Sequence, residues 1–341
     1  MTARRWILAL MALLSYQPRS SAEGFKIDPS MLDAEGTYFA QWDIVQDRLI
    51  MYRSTTASGA PSVQIFRSDG SCFGLVPLWD LPGSLWIDVW GVAATPDGGA
   101  VLAAVVGYEP RAVKQPNVKN LLLTYDSSGK LTKVWDATPY HNHLLAVDRD
   151  GEVFALGDGV STFAYPMVVK YSPEGKVLRK FLPSSTFADG NMAISNGSPN
   201  GDPAMFIRGD ELFLWVGNTR ELFRFSLSGD LLSRTSLEGA LNDLVFKSGS
   251  DHVKVRYLST GDRAENQGKN GGVIAQVQFW PKHKGDPVQN VLIDVTADGS
   301  KTSIHNSPLN PLWLLGTTQR GKLVFLEPPP EGGKAGTLLE Y

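Results

Sequence analysis

Tyr140-His-Asn-His143 is the stretch whose residue types and spacing could hold a metal ion. Two histidines at i and i+2 of an extended segment share a face, so His141 and His143 can offer two imidazole nitrogens to one ion. No complete catalytic constellation accompanies them. Serines are abundant, but none stands in a Gly-x-Ser-x-Gly elbow, and Gly268 to Gly272 (GKNGG) lacks the strand-to-helix setting of a phosphate loop. The other candidates are for binding: Trp86, Arg111 and Trp280, since an aromatic side chain exposed on a loop can anchor a peptide or glycan. Trp79, Trp86 and Trp90 stand close together in the sequence, and Phe279-Trp280 is followed by Lys282 and His283. The single cysteine, Cys72, cannot form an internal disulfide and reads as a small apolar side chain in a hairpin.

The elements that must position these residues are hairpins of two alternating classes. One class has an aromatic or apolar residue, three turn residues and a glycine: Phe66 to Gly70, Tyr125 to Gly129, Tyr171 to Gly175, Phe225 to Gly229 and Val295 to Gly299. The other lies between them, at Val45 to Arg48, Asp97-Gly98, Asp150-Gly151, Gly209-Asp210, Gly249-Ser250 and Gln319 to Gly321. Apolar runs flank both, and glycine at a fixed place supplies the positive φ of a tight turn. Pairing one hairpin of each class gives a four-stranded antiparallel unit, with strands A to D in order. The units fall at about 38–80, 86–136, 143–182, 203–238, 241–305 and 312–341. The last stops where its outer strand should begin, and the alternating segment at 24–28 (GFKID) can supply that strand. The expected fold is all-β: a six-bladed β-propeller of four-stranded blades in one domain, 23–341, closed by an N-terminal strand completing the last blade.

The pattern resembles the NHL and TolB-like superfamily of six-bladed propellers. The residues that carry the resemblance are LLAVDRDGEVFALGD (144–158) followed by VVKYSPEGKVLRKF (168–181), with weaker copies at 121–135 and 223–237. It implies architecture and not one function, because propellers of this kind serve as binding platforms and as enzymes. In the amidating-lyase relatives, histidines at the entries to strand A hold zinc; the corresponding entries here are Asp88, Met192, Asn242 and Asn310 or Leu312. Lactonase-type relatives bind a divalent cation with a Glu/Asn/Asp set, for which Asp88, Asn242 and Asp243 are of suitable type. The resemblance thus implies an alternative: a metal-dependent hydrolase or lyase at the mouth of the central channel using Asp88, His143, Asn242 and Asp243, with Ca2+ or Zn2+.

Strand alternation sends every loop that enters A or C to one end of the propeller. The long irregular segments 107–120, 183–203 and 259–290 all belong to that end, which is therefore the expected functional face. The preferred expectation is a non-catalytic binding protein without a cofactor, taking a protein, peptide or glycan there through Trp86, Arg111, His141, His143 and Trp280. The chain has 341 residues, 34 glycines, 21 prolines and a net charge of −3, which gives no electrostatic footprint for nucleic acid. Residues 1–22 have the parts of a secretory signal: Arg4 and Arg5, an apolar run from Trp6 to Leu14, and small residues up to Ala22. An exported monomer with no membrane span after cleavage follows, periplasmic or extracellular, with its partner in the cell envelope.

Overall fold

A computed structural model describes residues 37–54, 61–67, 70–113, 117–159, 165–187, 203–248, 252–260, 272–280, 289–296, 302–305, 313–318, 322–327 and 337–340. The candidate signal at 1–22 and the closing strand at 24–28 lie outside them. Five four-stranded antiparallel sheets follow one another along the chain. The first contains β1 (Thr37–Asp43), β2 (Arg48–Ser54), β3 (Ser62–Phe66) and β4 (Cys72–Leu75). The second has β5 (Trp86–Ala94), β6 (Ala100–Gly107), β7 (Val118–Tyr125) and β8 (Leu131–Asp136), and the third β9 (Tyr140–Val147), β10 (Val153–Gly159), β11 (Pro166–Tyr171) and β12 (Val177–Pro183). The fourth is built of β13 (Ala204–Arg208), β14 (Glu211–Val216), β15 (Glu221–Ser226) and β16 (Leu231–Ser236); the fifth of β17 (His252–Thr260), β18 (Val273–Trp280), β19 (Gln289–Val295) and β20 (Thr302–His305). A three-stranded sheet ends the chain: β21 (Trp313–Thr317), β22 (Leu323–Glu327) and β23 (Thr337–Glu340). The fold is a β-propeller, with the first strand of each sheet innermost.

The sheets are held face to face by apolar clusters. Ile50, Val63 and Ile65 of the first sheet pack on Ile87, Val89 and Leu102 of the second. Leu122 and Trp135 meet Leu145 and Tyr171; Phe154 and Val168 meet Leu212 and Phe223; Trp215 meets Val253 and Val277. Ile274 and Leu292 then meet Leu314 and Phe325, and Trp42, Leu49 and Met51 meet Leu315, Val324 and Leu326. The chain's last described sheet is thus packed against its first.

The glycine hairpins have a second physical basis besides their φ of 81 to 88° at Gly70, Gly129, Gly175 and Gly229. A Cβ on Gly129 would stand 3.1 Å from Leu75, one on Gly175 2.5 Å from the ring of Trp135, and one on Gly229 2.9 Å from Phe181. Each of these turns is therefore pressed onto the outer strand of the preceding sheet. Gly299 lies outside the described residues.

The fifth sheet departs from expectation. Residues 241–248, read as its innermost strand, belong instead to a helix, α1 (Glu238–Ser248), and the chain at 249–250 leads into β17 rather than between two strands. Leu237, Leu241 and Leu244 are buried at helical spacing, and Leu241 N–H donates to the Leu237 carbonyl. The expected single insertion at 259–290 is correspondingly two connections, 261–272 and 281–288, at opposite ends of the sheet and separated by β18. The six-fold repetition of four-stranded units is likewise not complete among the described residues, since the last sheet has three strands.

Asp43 ties the first sheet to the second. Its carboxylate accepts the N–H groups of Val45 at 3.0 Å and Gln46 at 3.1 Å in its own turn, and that of Ala94 at 3.2 Å on β5. Burial pushes its pKa up from 3.8 to about 6, against these N–H donors and Arg48, which favour the charged form. A carboxyl raised in the folded state stabilises most when protonated. Its contribution is full below 3.8 and is lost as pH rises through about 6, an effect on the order of 3 kcal/mol. Urea unfolding between pH 4 and 7 should show this fall in the native protein, and Asp43→Asn should remove it. Asp43→Ala should cost most at pH 4, about 2 to 3 kcal/mol from the N–H groups it leaves unpaired, and progressively less as pH rises to 7.

Candidate functional site

The inner strands are not regular. On β9, Leu144 pairs with Leu156 but Asn142 pairs with Gly157, so His143 is an extra residue, a β-bulge. The one-residue slip sets His141 directly opposite Asp158; without it Asn142 would hold that place. On β5 the same irregularity makes Trp90 the extra residue between Val89 and Gly91. Two side chains of the first sheet meet the carbonyls on either side of it: Tyr52 Oη donates to Val89 O and Gln41 Nε2 to Val92 O. From the other direction the backbone of His143 presses on Gly91, where a Cβ would stand 2.9 Å from the His143 carbonyl oxygen. The two bulges are thereby fitted against one another.

Their side chains form one cluster. His141 Nδ1 lies 3.6 Å and His143 Nε2 3.4 Å from the two oxygens of Asp158, and the imidazole centroids are 4.5 Å apart. Trp90 closes over both rings edge-on, at 4.8 Å from His141 and 5.2 Å from His143. Burial, then the neighbouring His143, pull the His141 pKa down against the opposing charges of Asp158 and Asp88. Burial works to raise the carboxyl of Asp158, but the approach of His143 and the charges of both histidines outweigh it and hold the group below its ordinary value. His141, His143 and Asp158 are the one group of three metal-ligating side chains among the described residues whose donor atoms lie within 4.8 Å of each other.

A second group adjoins the first. The Arg111 guanidinium lies 4.1 Å over the ring of Trp86 and is paired with Asp88 at 2.6 Å. The indole Nε1 donates to the Glu109 carbonyl at 2.8 Å. Gly107 gives the indole its seat, because a Cβ there would stand 2.0 Å from Trp86 Cε2. Trp86, Asp88 and Trp90 alternate with the buried Ile87 and Val89, which puts them on one side of β5.

Asp88, His141 and His143 thus stand together, with Trp86 and Arg111 beside them. Asn242 and Asp243 do not stand at the entry of an inner strand: both are exposed on α1, and Asn242 accepts a hydrogen bond from Arg220 at 2.6 Å. Trp280 is the last residue of β18, its backbone paired with His252 across the fifth sheet. Asn310 and Leu312 lie outside the described residues, as does Met192.

No protein-family model matches the sequence, and no curated protein matches it. Among solved structures it is similar to a Bacteroides fragilis protein classed by name alone as exported, at 8% identity and a TM-score of 0.50, over 96% of this chain and 97% of that one. A protein of unknown function from Bacteroides caccae is similar at 13% identity and a TM-score of 0.41, over 80% of this chain and 83% of that one. A gluconolactonase of Xanthomonas campestris is similar at 13% identity and a TM-score of 0.44, over 94% and 90% of the two chains. At these identities the likeness is one of fold. No helix among the described residues is long and apolar enough to cross a membrane.

Asp158 is the site residue that sequence reasoning missed. The available signal was Gly157, since a glycine inside a strand pattern marks a bulge or a close backbone approach. A Cβ on Gly157 would stand 2.2 Å from the His141 carbonyl oxygen and 2.9 Å from Asn142 Cα, backbone atoms that cannot step aside. Gly157→Ala should therefore cost about 2 to 4 kcal/mol in denaturant unfolding. Gly209→Ala, at a turn with φ of +57° and nothing within 4 Å, should cost only about 1 kcal/mol. Equal losses would show that the close approach at Gly157 does not hold the bulge.

Proposed function

We propose that this protein is an exported binding protein, without catalytic activity of its own, that takes a protein, peptide or glycan of the cell envelope on the end of the propeller where the inner strands begin. The observation that carries this reading is that the exposed large aromatic side chains among the described residues, Trp79, Trp90 and Phe246, stand at that end, while the other exposed apolar residues include Val134, Val177, Leu178, Leu231 and Leu232 on the outer strands. Trp79, 80% exposed, lies in the connection into β5; Phe246, 86% exposed, lies on α1 in the connection into β17; Trp90 is 40% exposed on β5 itself. Leu85 and Val113 are exposed in the same set of connections, and Val118 at the start of β7. Apolar surface left in contact with water on one side of a monomer marks an interaction site. Trp86, Asp88 and Arg111 add an aromatic ring, a carboxylate and a cation already held in place, which lowers the entropic cost of gripping a ligand.

The leader at 1–22 and the name of the Bacteroides fragilis structure support export. The reading includes a closed six-bladed ring, which would give the loops a rigid base. In that ring the strand at 24–28 pairs with β23 and completes the last sheet. Deleting residues 23–29 would then remove several backbone hydrogen bonds at about 1 kcal/mol each, and the burial of Phe25 and Ile27 at roughly 1.5 to 3 kcal/mol each. The truncated protein should melt many degrees below the mature chain. Melting within a degree or two would mean that the ring closes without this strand.

Capture from native envelope extract tests the binding face. Mature protein carrying Trp86→Ala, Arg111→Ala and Trp280→Ala together should lose its partner, at least tenfold in affinity. Arg67→Ala, whose side chain donates to Ser127 O at 3.0 Å among the glycine turns of the opposite end, should retain it. A partner held equally by both variants would place the binding face elsewhere.

A further inference from the structure

We infer that His141, His143 and Asp158 form a binding site for a divalent transition-metal ion such as Zn2+. The site goes beyond the binding reading and stands whether or not Trp86 and Arg111 take a ligand.

The contacts within the cluster are poorly explained without an ion. His143 Nε2 lies 3.4 Å and His141 Nδ1 3.6 Å from the oxygens of Asp158, long for charge-assisted hydrogen bonds, which close to about 2.7 to 2.9 Å. Ligands of one tetrahedral ion, at bonds of about 2.0 to 2.1 Å, stand about 3.3 Å from each other, close to the two histidine–carboxylate distances, and all three donor atoms lie within 4.8 Å of one another. His143 Nε2, one of the two donor nitrogens, is buried and makes no well-formed hydrogen bond among the described residues, its approach to Asp158 being 3.4 Å. Leaving such a group so poorly met is costly unless something else meets it.

The supporting structure is also that of a built site. The His143 side chain is only 12% exposed. The bulge sets His141 across from Asp158 and brings His143 to the same carboxylate, and Gly157 permits the close approach of the two strands. Trp90 lies edge-on to both imidazoles and limits their rotation. Two imidazoles and a carboxylate suit zinc and its first-row neighbours, whereas Ca2+ takes six to eight oxygens. Three protein donors leave at least one position for water or for an oxygen atom of a ligand.

The test titrates metal-free mature protein with Zn2+, and with Co2+ as a spectroscopic probe. One equivalent of Zn2+ should bind with Kd below about 10 μM, Ca2+ should not compete, and the imidazole resonances of His141 and His143 should shift in the unmodified protein. His143→Gln and Asp158→Asn should each weaken binding by about tenfold or more, while Asn242→Ala, on α1, should leave it unchanged. Zn2+ affinity weaker than about 1 mM, or histidine resonances that do not respond to the ion, would overturn the site. So would binding that neither ligand variant weakens. The resonance measurement needs no variant, so a substitution that unfolds the protein does not rescue the proposal. Loss of metal with capture of the envelope partner intact would count against this site alone.

Discussion

Every sheet of this propeller is covered on both faces, so a strand near its centre has no solvent-facing side along most of its length. Val92, Ala93 and Ala94 of β5, and Leu145, Ala146 and Val147 of β9, are accordingly apolar on consecutive positions and buried. Polar chemistry is confined to the ends of such strands, where the neighbouring sheet no longer covers them. Trp86, Asp88 and Trp90 occupy the first half of β5, and Tyr140 to His143 the first half of β9. The same constraint that packs the sheets determines where a site can be.

The bulges modify that end of the strand in a repeated way. One residue is skipped on β5 at Trp90, on β9 at His143, on β17 at Arg256 and on β21 at Leu315. A skipped residue disrupts the ladder locally, and its flanking carbonyls need other donors. At Trp90 those donors are Tyr52 and Gln41 of the preceding sheet. The conformation of one inner strand is therefore shared with its neighbour, and the Trp90–His143 contact joins two strands that exchange no ladder hydrogen bonds. Equivalent positions in different sheets carry a tryptophan, a histidine, an arginine and a leucine, so the backbone repeats where the chemistry does not.

Turns were legible in the sequence because their φ values demand glycine at fixed places, and four of the glycine hairpins stand where the pattern put them. The helix at 238–248 was not, because Leu-Val-Phe followed by Gly-Ser reads equally as a strand and turn. Only the longer spacing of Leu237, Leu241 and Leu244 separates the two. His141 and His143 were legible from their i, i+2 spacing. Their partner Asp158 was not, because it faces them through a register slip that no local pattern states. Asp88 and Arg111 were each visible as candidates, but their pairing depends on a connection folding back over Trp86.

The glycine turns lean in one direction along the chain. Gly129 of the second sheet covers Leu75 of the first, Gly175 of the third covers Trp135 of the second, and Gly229 of the fourth covers Phe181 of the third. In these three sheets the outer strand is covered by the sheet that follows it in the chain, so each depends on its successor for part of its cover.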